Sequence, residues 1–199
     1  MSLDSEIIIV SGLPRSGTSL MMQMLHVGGV EVVTDHVRTA DVDNPRGYFE
    51  FERAKQIEHD TSWLPSTRGK AFKMVSQLLY HLPPREPYRI IFMQRDLDEI
   101  LISQEKMLQR REIAAAPREK IKEAFTLHLE RLFEWLHDQR NISVLTVNYN
   151  ELLDNSRQYA ETISEFLGNI PVVPAMVQAI DPNLYRNRRT TPQSQNTSS

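Results

Sequence analysis

The 199-residue chain contains no cysteine. That absence excludes a disulfide framework, thiolate metal sites and cysteine catalysis, and it suits a reducing compartment. A basic surplus is missing as well: 23 lysines and arginines stand against 26 acids, for a formal net charge of -3. No global field therefore draws in nucleic acid or an anionic membrane. Long apolar runs are also lacking, and nothing approaches the ~20 residues that span a bilayer. Residues 1–6 carry two acids rather than the apolar run of a secretory signal. No cluster with metal-ligand spacing stands out, and no segment repeats. The expectation is a cytoplasmic protein with neither membrane nor nucleic-acid partners.

What is present is enough apolar residue, 40% of the chain, for one globular domain with a core. That domain is expected over residues 1–189, ahead of a disordered polar tail at 190–199. Residues 7–10 are an unbroken apolar run, the mark of a strand covered on both faces. A helix is expected over 20–25, with Leu20, Met21, Met24 and Leu25 turned inward. Between them lies Gly12-Leu13-Pro14-Arg15-Ser16-Gly17-Thr18-Ser19. Strand, glycine-bounded loop and helix are the context a phosphate cradle requires. The spacing fits G-x-x-x-x-G-K-[ST] at every fixed position but one, because Thr18 stands where the lysine belongs. Arg15 supplies a cation three residues earlier.

Further strands are expected over 30–33, 71–75, 88–94 and 142–147. Helices are expected over 96–110, from Pro117 through Leu136, and over 151–167 before Gly168. A weaker helical pattern covers 48–60, and 35–47 reads as loop. Strands alternating with helices predict a three-layer α/β/α sandwich around a central parallel sheet, of the P-loop nucleotide-binding type. Such sheets bind ligands beyond the C-terminal ends of their strands. Arg15, Lys73 and Arg95 each fall at or near such an end.

Two motifs together resemble the sulfotransferases that use 3′-phosphoadenosine 5′-phosphosulfate. Pro14-Arg15-Ser16-Gly17-Thr18-Ser19 is similar to that family's 5′-phosphosulfate loop. Arg95, followed eight positions later by Ser103, resembles its 3′-phosphate motif. Residues 147–153 and 166–168 resemble its strand-tyrosine-helix segment, so the likeness spans about 7–168. The resemblance implies a sulfuryl transfer in which the leaving phosphate gains negative charge. Loop amides, the Thr18 and Ser19 hydroxyls and Arg15 suit that charge. Arg95 and Ser103 would hold the 3′-phosphate, a dianion that a forked guanidinium matches. With cations doing the neutralising, no metal is expected. Arg95 has a plainer alternative, pairing with Asp96 or Glu99, and Tyr149 is either near the adenine or simply packed.

Lys73 resembles a lysine that the family places near the donor's bridging oxygen; its other reading is a solvated surface lysine. For the general base the resemblance to protein-tyrosine sulfotransferases points to Asp35 or His36, with Glu50 as a third candidate. Histidine titrates near neutrality, whereas a carboxylate needs burial to do so. The acceptor, a small molecule or a peptide, has no readable code. The C-terminal Arg-Lys-Gly clamp of cytosolic relatives is missing, and residues 184–189 are the candidate substitute. Two other functions fit the loop: a kinase or hydrolase with an altered phosphate loop and Asp96 as its magnesium ligand, or a binding module without catalysis.

Overall fold

The computed structural model describes residues 3–35, 49–110, 112 and 116–180. The expectations for His36, for residues 184–189 and for the 190–199 tail lie outside the described residues. Among those described, one sheet is built from β1 (Ile7–Gly12), β2 (Ala71–Val75), β3 (Tyr88–Gln94) and β4 (Ile142–Asn148). Every neighbouring pair is parallel, in the order β2-β1-β3-β4.

Strand alternation sorts the core into two layers of contacts. Ile8, Val10, Ile91 and Met93 face α1 (Thr18–Val27), α4 (Tyr149–Asp154), α5 (Ser156–Phe166) and α6 (Val173–Gln178). Ile7, Ile9, Phe72, Ile90 and Phe92 face α3 (Arg118–Asp138) and the 3-10 turns Glu52–Gln56, Leu64–Thr67 and Ser76–His81. The expected α/β/α sandwich is the fold observed. β1 is wholly buried, which explains its unbroken apolar run, and each of its large side chains contributes roughly 1.5–3 kcal/mol by leaving water. Between β3 and α3 the chain forms α2 (Leu97–Arg110), which packs on α3. Lys122 reaches across to Asp98 at 3.0 Å and helps fix that contact.

Several expected elements differ. The strand expected over 30–33 is a single parallel bridge, Val32 to Ala71, because the chain turns away at Thr34 to bond the Glu50 carbonyl. The helix expected over 151–167 is two helices. Asn148 caps the first by accepting from the amides of Asn150 and Glu151, and Asn155, outside helical geometry, breaks the run. Among the described residues of the 48–60 pattern, the helical element is a 3-10 turn at Glu52–Gln56. In α1, Met22 is buried as well, while Leu20 is half-buried. Helix α6 was not foreseen; six residues are too few for a periodic signal.

Candidate functional site

After β1 the chain crosses to β2 on one side, and the next crossover places β3 on β1's other flank. The crevice at the C-terminal ends of β1 and β3 is therefore the switch point of the sheet, where ligands bind in folds of this kind. The loop 12–19 stands on one lip and Arg95 on the other.

The loop is shaped by its glycines. Gly12 has φ 151°, and a Cβ there would lie 2.5 Å from Ser16 Oγ and 2.6 Å from the Met93 carbonyl oxygen. Gly17 has φ 101°, and a Cβ there would lie 2.3 Å from Cδ2 of Tyr149. Only glycine lets the loop approach these groups so closely. Arg15 itself sits at φ 72°, left-handed geometry that costs a non-glycine residue about 1–2 kcal/mol. The N-cap of α1 is Gly17, which has no side chain to cap the helix, so its first turn opens directly onto the loop. Ser16 is buried and its hydroxyl has no hydrogen-bond partner.

Residues named from separate parts of the sequence meet here. Arg15 Nε donates to Ser103 Oγ at 3.0 Å. Arg95 Nη1 donates to the Arg15 carbonyl at 3.3 Å, and its Nε to Glu99 Oε2 at 3.0 Å. The Arg95 guanidinium lies over the Tyr149 ring, 4.5 Å from its centroid. The other Glu99 oxygen accepts from Asn150 Nδ2 at 3.1 Å. Arg95 and Glu99 are nearly sealed from solvent, with side chains 8% and 3% exposed. Burial raises the Tyr149 phenol above its ordinary value, against the pull of the Arg95 charge, so it stays protonated at neutral pH. Arg95 also borders a cleft of about 430 Å³, walled by Leu13, Phe92, Ile100, Leu129 and Asn150.

On the opposite flank of the loop, Lys73 lies within β2 and reaches forward to Ser19 Oγ at 3.4 Å. Pro14 is exposed and Thr18 half-buried at the start of α1. Asp35 stands past the β2 edge, where its carboxylate accepts the Glu52 amide. Glu50 pairs with Lys55 at 3.0 Å. Asp96 accepts the amides of Asp98 and Glu99, so the acid considered for magnesium caps α2 instead.

Several residues that the motifs left out also matter. Asn150 braces Glu99, a contact no spacing rule reveals. At the end of β2, buried Ser76 pairs with His128 Nε2 at 2.9 Å, and burial lowers the His128 pKa below its ordinary value. Among the described residues no group of three His, Cys, Asp or Glu is placed to hold a metal ion, and no helix is long and apolar enough to cross a membrane.

The family model described as "Sulfotransferase domain" matches residues 5–198. Among solved structures, a sulfotransferase from Alicyclobacillus acidocaldarius is similar at a TM-score of 0.50 and 14% identity, over 90% of this chain and 87% of that one. The sulfotransferase domain from the curacin biosynthetic pathway is similar at a TM-score of 0.53 and 12% identity, over 90% and 79%. At these identities the likeness is one of fold. No curated protein matches the sequence.

Proposed function

The chain belongs to the sulfotransferase domain family, and from that premise we propose that it moves a sulfuryl group from 3′-phosphoadenosine 5′-phosphosulfate to a hydroxyl or amine. The acceptor would be a small molecule or a peptide. One observation carries the reading: Arg15 from the β1–α1 loop, Arg95 from the turn after β3 and Ser103 from α2 converge on the switch-point crevice. A nucleotide with phosphate at both the 3′ and 5′ positions is the kind of anion that such an arrangement suits.

The donor supplies an activated sulfuryl group carried on a phosphate. Arg15 and the amides at the start of α1 would take up the charge that gathers on that phosphate. The Thr18 and Ser19 hydroxyls can donate to its oxygens, and Lys73, already beside Ser19, adds a second cation. The partnerless Ser16 hydroxyl is one more donor inside the loop. Arg95 and Ser103 would hold the 3′-phosphate, with Tyr149 packed against both loops rather than acting in proton transfer.

As the acceptor oxygen or nitrogen bonds to sulfur, its proton must leave. We assign that proton to His36, because histidine is the residue type that ordinarily takes up a proton near neutral pH. A magnesium-dependent phosphoryl transfer is less well supported, because the loop lacks the lysine and Asp96 is turned onto its own helix.

Calorimetric titration with 3′-phosphoadenosine 5′-phosphate against ADP tests the donor site. The former is expected to bind at least about tenfold more tightly, a margin of ~1.4 kcal/mol, and Arg95→Ala should erase the margin. Equal binding of the two, or none, would remove the basis for the assignment. Binding without transfer to any acceptor would leave a nucleotide-binding module in its place.

A further inference from the structure

The ion pair between Arg95 and Glu99 looks at first like a rival to ligand binding. A carboxylate that neutralises a guanidinium should weaken its grip on phosphate. The atoms involved say otherwise. Glu99 takes Nε, the nitrogen nearest the chain, at 3.0 Å. Glu99 is itself held, since its second oxygen accepts from Asn150 Nδ2 at 3.1 Å. The Tyr149 ring supports the guanidinium from one face, and the Arg15 carbonyl takes Nη1. Three elements thus fix one planar group: α2 through Glu99, α4 through Tyr149 and Asn150, and the β1–α1 loop through Arg15.

We propose that Glu99, braced by Asn150, is a positioning residue that aims the Arg95 fork and thereby sets the preference for nucleotides carrying a 3′-phosphate. This rests on the assignment of Arg95 to that phosphate. An arginine side chain has many rotamers, and each one that must be frozen on binding lowers affinity. Glu99 and Asn150 hold it in advance. Recognition of a forked, bidentate kind depends on orientation, whereas simple charge attraction does not. The acid therefore lowers the local positive potential and raises the geometric selectivity. Those two effects have opposite signs, which makes them separable.

The test compares adenosine 3′,5′-bisphosphate with adenosine 5′-monophosphate, which differ only in the 3′-phosphate. Wild type, Glu99→Gln, Asn150→Ala, Arg95→Ala and the Glu99→Gln/Arg95→Ala double variant are titrated by calorimetry. Glu99→Gln removes a negative charge, so the monophosphate should bind as well as to wild type or better. The bisphosphate should bind less tightly, and the ratio between them should fall about tenfold. Asn150→Ala keeps the ion pair and should lower the same ratio about threefold. It carries the test if the Glu99 variant does not fold. The double variant should show no smaller ratio than Arg95→Ala alone. A folded Glu99→Gln protein that keeps the wild-type ratio, or tightens both ligands equally, overturns the proposal while leaving the Arg95 assignment intact. A wild type that shows no preference overturns both.

Discussion

The crevice between β1 and β3 and the outer edge of β2 are made differently. At the crevice, residues 80 to 88 positions apart bond to one another, as Arg95 does to Arg15 and Arg15 to Ser103. At the β2 edge the bonds are shorter in range: Asp35 to Glu52, Thr34 to Glu50, Lys55 to Glu50 and Glu52. The crevice is thus locked by the sheet's own topology. The edge is a set of local turns, whose polar bonds are short in range even though Phe51, Ala54 and Ile57 anchor the segment to the core. On the proposed function, a donor common to a family would suit the first kind of place and an acceptor that varies the second.

The largest effect that would break this contrast is expected from Gly17→Ala. The new Cβ would strike Tyr149 at 2.3 Å and the residue would be held at φ 101°. Destabilisation of about 3 kcal/mol should follow, read by denaturant melts, with loss of nucleotide binding read by calorimetry. Next comes Lys73→Met. On the proposed role of Lys73, it should lower kcat on the order of a hundredfold while shifting bisphosphate affinity much less, since the charge the lysine would answer appears as the sulfur bond breaks. An equal loss in both would make Lys73 a simple binding residue.

The β2 edge is sharpened by a paired comparison. His36→Ala is expected to cost roughly a hundredfold in kcat, and Asp35→Asn only a few-fold, because an asparagine oxygen can still accept the Glu52 amide. The reverse order would make Asp35 the base. The smallest effect concerns His128. Its pKa is lowered in the folded state, so the unfolded chain binds more protons as pH falls below about 6.5, and stability is lost in that direction. His128→Gln should flatten this acid slope by ~2 °C in Tm, measured between pH 7 and 5.

The loop and the first strand were legible because their signals are local. An apolar run with no polar break means a strand covered on both sides, and β1 is buried from end to end. The order of motifs likewise gave the alternating sandwich. What the sequence hid were events decided at a distance or by one residue. The helix expected over 151–167 breaks at Asn155, whose backbone leaves helical geometry at φ -125° and ψ 48°. The strand expected over 30–33 is a lone bridge, since pairing depends on where Thr34 finds an acceptor.

The same division applies to the site. Residue types and spacing determined that a glycine-bounded loop follows the first strand, that Thr18 stands where a phosphate loop carries its lysine, and that Arg15 lies within the loop. These are properties of short stretches, in which backbone geometry and charge need no partner from elsewhere. Only the tertiary structure decided that Tyr149 fills the space beside Gly17, that Arg95 lies on that ring, and that Glu99 and Asn150 hold it there. The reason is physical: parallel strands are joined by long crossovers, so groups that touch at the strand ends lie far apart along the chain, and burial alone selects which of them meet.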